Sequence, residues 1–378
     1  MSHVSSHPPH GQSPLHTVQV LGGGSAGSSA HVRSLAAGLV ARGVRVTVCA
    51  PAETDCVYGF SSVGAHHVPV PRSSDPASVS ALRAACADAD LVHAHGLHAA
   101  LRAMLALSGR SVPLVVTWHT RPEADGARVH VLRLLERRVA RAAAVVLGTS
   151  SDLVDRARRR GARDARLAAV ALAAPRPPAD PVEPDRFRHK ARAELGATDR
   201  ALLIAVGSLD RHRGYHTLLD ASRAWCRLDP VPLLVVAGEG PLRPVLQRRI
   251  EDEELPVRLV GRREDVTELL AAADLVLLPS RWESRPVLAH EALHARVPLV
   301  ATAVGGVPEM VGDAAELVPY GNAKAIADAV VRLLADPARQ EVLREKGVRQ
   351  AATWPTEDET VAQVLSVYDE FTRFRPLI

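Results

Sequence analysis

Short β-branched runs alternate with amphipathic stretches of helical length through most of the chain, and this alternation limits the fold more than any other feature. VQV (18–20), VRVTV (44–48), LVHAH (91–95), LVVT (114–117) and AVVL (144–147) form a first series. ALLIAVG (201–207), LLVVAG (233–238), VRLVG (257–261), DLVLLP (274–279) and PLVAT (298–302) form a second. Buried strands spaced by helices predict parallel α/β sheets. APRPPADPVEPD at 174–185 separates the two series, and its five prolines predict an extended connector. The expected order is a disordered leader (1–16), a Rossmann-like domain (17–173), a linker and lead-in (174–198) and a second Rossmann-like domain (199–356). A helix over 357–378 is expected to pack back on the first domain. Ligands of such sheets bind at the carboxyl ends of the strands, and two such domains are expected to face each other across a cleft.

Composition excludes several other classes. Of 378 residues 47% are apolar, too many for a mainly disordered chain. The 46 basic residues, only three of them lysine, are interspersed with 42 acidic ones, so no concentrated nucleic-acid surface is expected. Cys49, Cys56, Cys86 and Cys226 lack CxxC spacing, which argues against a zinc ribbon or a disulfide scaffold and fits a reducing cytoplasm. No apolar run approaches transmembrane length. The first residues carry His3, His7, His10 and His16 at irregular intervals without the apolar stretch of a secretory signal.

Several local patterns bear on chemistry. Gly22, Gly24 and Gly27 match GxGxxG, which lets backbone N–H groups approach a phosphate or simply makes a tight strand–helix turn. A dinucleotide site also wants an acid at the end of the second strand, and none occurs before Glu53, which disfavours NAD. His93, His95 and His98 put two histidines on one strand face, but without a neighbouring cysteine or acid a metal is not expected. Asp88 and Asp90 form a DxD triplet whose expected work is capping before a strand. His119 follows VVTW, where an α/β crevice opens. Trp118 beside it is expected in the core, since neighbours on a strand face opposite ways. In PSRWESRPVLAHEAL, Glu283 belongs to a loop and Glu291 to the next helix. As a pair they either accept hydrogen bonds from sugar and ribose hydroxyls or are two surface acids. RVHVLRLLERRVARA and RARRRGAR are basic stretches. Inward packing with solvated arginines is their first reading, and peripheral attachment to anionic lipid is the other.

The PSRWESRPVLAHEAL segment resembles the E-x7-E signature of retaining, nucleotide-sugar-dependent glycosyltransferases of family four, which have the GT-B fold. HVRSLAAGLVARGVRVTV, VTWHT, SLDRHRGYHTLLDA, AGEGPL, LVGRREDVTELLAAADLVLLPS and VPLVATAVGGVPEMV continue the resemblance in order. It implies that Glu291 holds the donor ribose and Glu283 the transferred sugar, and that the Val287 and Leu288 amides face sugar and diphosphate. It places Gly27 and Arg213 at the diphosphate, Arg262 near the base and His119 over the sugar. The implied reaction retains anomeric configuration by front-face attack on an acceptor hydroxyl, without an enzyme nucleophile or a catalytic metal. A UDP-sugar is the expected donor, the acceptor is a small molecule, glycan or lipid-linked hydroxyl, and the place of action is the cytoplasm or the inner membrane face. The chain departs from the family at Ser208, where arginine is common, and at Ser284, Arg285 and Pro286. Arg211 is the expected substitute for the cation missing at Ser208. The alternative is a non-catalytic nucleotide-sugar-binding or scaffold protein on the same fold.

Overall fold

The computed structural model describes residues 14–22, 26–71, 75–122, 126, 128–172 and 184–372, and the chain divides into two compact units. The first comprises the residues up to Thr149, Leu153–Ala171 and the chain from Pro355. Its strands are β1 (His16–Leu21), β2 (Arg45–Ala50), β3 (His66–Pro69), β4 (Leu91–His95), β5 (Leu114–Trp118), β6 (Val145–Gly148) and β7 (Ala165–Leu167). They form one parallel sheet in the order β3-β2-β1-β4-β5-β6-β7. β1, β4 and β5 are buried along their whole length, so both sheet faces are covered and even polar residues such as Thr17, Gln19, His93 and His95 lie inside. Strand order reverses between β1 and β4, which opens a crevice beyond Leu21 and His95.

One face of this sheet is covered by the helices Ala26–Ala41 and Glu357–Thr372. Val32, Leu35 and Leu39 of the first meet Val361, Val364 and Val367 of the second over Leu21, Leu91, Val115 and Val145. Gly38 lets the two helices approach, since a Cβ there would lie 2.4 Å from Val361 Cγ2. Polar groups inside this layer are bonded to one another. His93 meets the Tyr368 hydroxyl through Nδ1 and the Thr117 hydroxyl through Nε2, both at 2.7 Å. Gln19 Nε2 donates to Tyr368 at 3.0 Å, and its Oε1 meets His95 Nε2 at the same distance. Burying these groups costs little only because each finds a partner.

The second unit comprises Ser150–Asp152 and Leu172–Trp354. Its strands are β8 (Leu202–Val206), β9 (Leu233–Ala237), β10 (Val257–Gly261), β11 (Leu275–Leu278), β12 (Leu299–Thr302) and β13 (Ala315–Val318). They form a parallel sheet in the order β10-β9-β8-β11-β12-β13. Alternate residues of β8 enter different cores: Leu202 and Ile204 pack on one face, Leu203 and Ala205 on the other. That two-sided burial explains the unbroken apolar run ALLIAV. Here the order reverses between β8 and β11.

Several expectations need adjustment. Residues 1–13 of the expected leader lie outside the described residues, and His16, also placed in the leader, opens β1. Its amide donates to Asp90 Oδ2 at 2.9 Å and its Nε2 meets Thr47 Oγ1 at 2.9 Å. The DxD pair thus serves the start of the sheet, Asp88 pairing with Arg45 at 2.7 Å. Residues 174–183 of the proline-rich stretch also lie outside the described residues. From Pro184 to Leu195 the chain is a helix, so 184–185 are helical rather than extended. Proline suits a first helical turn, where its missing N–H has no partner to lose. Arg188 and Arg192 of this helix hold Asp274 at 2.8 and 3.0 Å.

The basic stretches are partly accounted for by an internal ion group. Glu136, 1% exposed in its side chain, receives Arg156 and Arg160 Nε at 2.8 and 2.6 Å. On the same helix, Arg128–Ala142, Val139 is buried while Val131 and Leu134 are exposed, so the inward packing read for this stretch covers only part of its apolar residues. No helix among the described residues is long and apolar enough to cross a membrane. Removing Glu136 would leave two guanidinium groups in a desolvated place without their acceptor. Glu136→Ala is expected to lower stability by about 3–5 kcal/mol, the usual cost of breaking a buried pair from one side. Urea unfolding followed by circular dichroism measures it.

Candidate active site

In the second unit the loops following β8 and β11 are fastened to each other at the switch point. Beyond β8, Gly207 is followed by Ser208, Leu209 and Asp210. The Asp210 carboxylate accepts the His212 amide at 2.9 Å and caps the short 3₁₀ turn Arg211–Arg213. Gly214 ends that turn at φ +71°, and a Cβ there would lie 2.0 Å from the Pro279 carbonyl oxygen. Glycine is therefore required twice over, by backbone conformation and by the closeness of the β11 loop. The Arg281 amide donates to the His212 carbonyl at 2.7 Å, and the Tyr215 hydroxyl donates to the Gly207 carbonyl at 3.2 Å.

This fastening brings Arg213 onto Glu283. Arg213 Nη1 donates to Glu283 Oε1, and the Ser280 hydroxyl donates to the same oxygen at 2.9 Å. The Glu283 backbone is held from the other side by Gly305–Gly306. The Gly306 amide donates to its carbonyl at 2.9 Å, and a Cβ on Gly305 would stand 2.0 Å from that oxygen. Burial pushes the Glu283 carboxyl above its ordinary range, Arg213 and Ser280 oppose this, and Asp210 adds to it. The site thus holds a desolvated carboxylate against a fixed cation, a pairing that hydroxyls and a phosphate can each enter.

The next helix, Val287–His294, begins beside Glu283 with Pro286 at its N-cap. Its first amides, including those of Val287 and Leu288, have no intrahelical acceptors, which suits an anion. Glu291 lies one turn in and is partly buried, and burial raises its carboxyl pKa. Among the described residues that carboxylate has no hydrogen-bond or ion-pair partner. The Ser208 hydroxyl donates to Asp210 Oδ2 at 2.5 Å. Arg211 is exposed on the turn beside Arg213. Arg262 follows β10 at the sheet edge and is exposed. Arg285 is half-buried, and its Nε and Nη2 have no partner among the described residues.

In the first unit His119 follows β5, and Gly27 lies exposed in the first turn of the helix Ala26–Ala41. Gly24, the middle glycine of the expected turn, lies outside the described residues. His119 Nε2 is 3.2 Å from His95 Nδ1, and the His31 ring stands edge-on to the His119 ring at 5.2 Å between centroids. Burial is the first cause that keeps all of these rings neutral: His31 falls to about 4, His93 to about 3, and His95 and His119 well below their usual value. His98 is exposed on the following helix and takes no part in this group. Trp118 is in the core at 5% exposure.

Sequence reading missed His31, Gln19, Ser280 and Tyr368, and gave Gly305–Gly306 no role. His31 sits within an apolar helical face, and the Gly-Gly pair before VPEMV was a visible sign of close backbone approach.

Two parallel-sheet units, each with charged or imidazole side chains gathered where strand order reverses, define a GT-B type protein. Residues 187–350 match the family described as glycosyl transferases group 1, and residues 26–173 match the glycosyl transferase 4-like domain. A D-inositol 3-phosphate glycosyltransferase of Xylanimonas cellulosilytica is 31% identical over 314 residues, 76% of this chain and 73% of that one. The alpha-D-kanosaminyltransferase of Streptomyces kanamyceticus is 30% identical over 258 residues, 65% of this chain and 66% of that one. The putative teichuronic acid biosynthesis glycosyltransferase TuaC of Bacillus subtilis is matched over 61% of its length. The Anabaena protein HepE, crystallised with UDP, has the same fold at a TM-score of 0.78 and 18% identity, covering 95% of this chain and all of that one. The chain belongs to the group 1 glycosyltransferase family.

Glu291 gives a stability prediction. A carboxyl whose folded-state pKa is raised costs nothing below its unfolded pKa, near 4.3, and destabilises the fold as pH rises through the folded value. Glu291→Gln is therefore expected to raise the melting temperature at pH 7 and to leave it unchanged near pH 3.5. Thermal unfolding at both values checks it, and no gain at pH 7 would contradict it.

Proposed function

We propose that this chain transfers a sugar from a nucleotide-diphosphate donor, a UDP-sugar first, to an acceptor hydroxyl with retention of configuration. The observation that carries the reading is the pairing of Arg213 with the half-buried Glu283 beside the open first turn of Val287–His294. A diphosphate needs a cation and free amides, and a hexose needs a charged acceptor for its hydroxyls; both sets stand together at the β8/β11 crevice. Structures of HepE with UDP-glucose support the donor class by likeness of fold.

In this reading Arg213 turns from Glu283 to the donor diphosphate, and Glu283 takes the sugar hydroxyls in exchange. Charge accumulates on the diphosphate as the bond to the anomeric carbon breaks. Arg213 and the Val287 and Leu288 amides stabilise that charge, and Gly27 offers a further amide. The departing phosphate oxygen takes the proton of the acceptor hydroxyl as the new glycosidic bond forms on the same face. Glu291 holds the ribose and Arg262 lies toward the base. His119, neutral through burial, accepts or donates a hydrogen bond at the transferred sugar. The reaction needs no catalytic metal. With the Ser208 hydroxyl engaged by Asp210, Arg211 is the side chain free to swing in as a second cation.

Arg213→Ala is expected to reduce transfer about 10²–10³-fold, as loss of one stabilising donor does. His119→Ala should lower turnover while leaving UDP affinity within about twofold, because it reads the sugar rather than the nucleotide. Arg211→Ala should impair transfer less than Arg213→Ala, and Ser208→Arg in that background should restore part of the loss. Release of nucleotide diphosphate from a panel of UDP-, GDP- and ADP-sugars measures each. Donor binding without turnover under all acceptor conditions would favour a non-catalytic binding protein.

A further inference from the structure

Three histidines from three separate elements converge at the crevice of the first unit: His31 from the helix Ala26–Ala41, His95 from the end of β4 and His119 beyond β5. Each offers a ring nitrogen, and these atoms all lie within 4.8 Å of one another. Their hydrogen bonds fix which atoms are offered. Gln19 donates its amide hydrogens to Thr17 and Tyr368. Its Oε1 can only accept, so His95 carries its proton on Nε2 and bonds Gln19 at 3.0 Å. That leaves the His95 Nδ1 lone pair aimed at His119 Nε2, 3.2 Å away. Two nitrogens bound to tetrahedral zinc at about 2.0–2.1 Å stand about 3.3–3.4 Å apart, so this pair already has the spacing of one edge of a zinc tetrahedron.

His31 supplies the second observation. It is 8% exposed, and among the described residues its ring makes edge contacts to His95 and His119 but no hydrogen bond. A ligand bond would give that imidazole a polar partner. Gln19 acts on His95 as the second-sphere acceptors of metal-bound histidines do, fixing tautomer and ring plane.

We propose that His31 (a ring nitrogen), His95 (Nδ1) and His119 (Nε2) form a three-histidine site for a divalent transition metal, zinc first, with the fourth position left to water or an anion. Three neutral imidazoles with no thiolate or carboxylate match zinc and its borderline neighbours rather than magnesium or calcium. His119 shifts its proton to Nδ1 on binding, and no proton leaves the three rings. Binding does not depend on the sugar-transfer reading. One consequence rests on it: zinc on His119 Nε2 takes that imidazole from the sugar, so micromolar zinc is expected to inhibit transfer.

The test must separate this site from the histidines near the start of the chain. The full chain carrying His3→Ala, His7→Ala and His10→Ala is titrated with Zn²⁺ against a chromophoric chelator, and then with Co²⁺. One zinc per chain and the intense visible bands of four-coordinate cobalt are expected. Adding His31→Ala or His95→Ala to that background should weaken zinc binding at least 100-fold. Loss of all zinc binding with the three early histidines overturns the proposal. So do unchanged zinc affinity in the His31 and His95 variants and the pale spectrum of six-coordinate cobalt. Should those two variants fail to fold, the stoichiometry and cobalt spectrum of the parent decide.

Discussion

The second unit is organised around one ion pair. Arg213 and Glu283 come from loops after different strands, and their contact depends on backbone features too tight for ordinary side chains. Gly214 lies against the Pro279 carbonyl and Gly305 against that of Glu283. A carboxylate removed from water needs its cation, and the cation needs a turn that stays in place. The sheet supplies both by ending β8 and β11 side by side where strand order reverses. In the proposed reading, the same pair presents a cation and an acceptor that a sugar diphosphate separates, and this electrostatic constraint on the fold is also the recognition element.

The first unit solves a related problem with neutral groups. Gln19, His93, His95, Thr117 and Tyr368 lie within an otherwise apolar layer, and burial keeps the imidazoles uncharged. Their bonds reach across β1, β4, β5 and the C-terminal helix, so the orientation of His95 depends on a tyrosine from the far end of the sequence. This chain of partners determines which nitrogens face the crevice. Among the described residues His31 stands beside this network, touching His95 and His119 by ring edges alone.

Much of the fold was legible because its causes are local. Two-sided burial wrote ALLIAV and LLVVA as unbroken apolar runs, and the proline-rich stretch separated two such series. His119 was legible because it stands just beyond a strand, where an α/β sheet opens, whereas Glu283 and Glu291 stood out through their resemblance to the E-x7-E signature. His31 was not, since a histidine on an apolar helical face carries no sign of what lies opposite. His93 shares a strand face with His95, where the sequence led us to expect no metal, and its bonds commit it to Tyr368 and Thr117. Metal spacing rules count along the chain and cannot see a site assembled from one helix and two strand ends. The start of β1 at His16 and of the helix at Pro184 fell inside stretches whose composition suggested otherwise.

The central claim is that the Arg213–Glu283 crevice breaks a sugar–diphosphate bond and keeps the configuration at the anomeric carbon. Time-resolved proton NMR of the full chain with α-linked UDP-sugars, with water as acceptor, observes that carbon directly. The account predicts that UDP is released and that the α-anomer of the free sugar appears first, before mutarotation. First appearance of the β-anomer would contradict retention, and failure to cleave any UDP-, GDP- or ADP-sugar would contradict transfer itself.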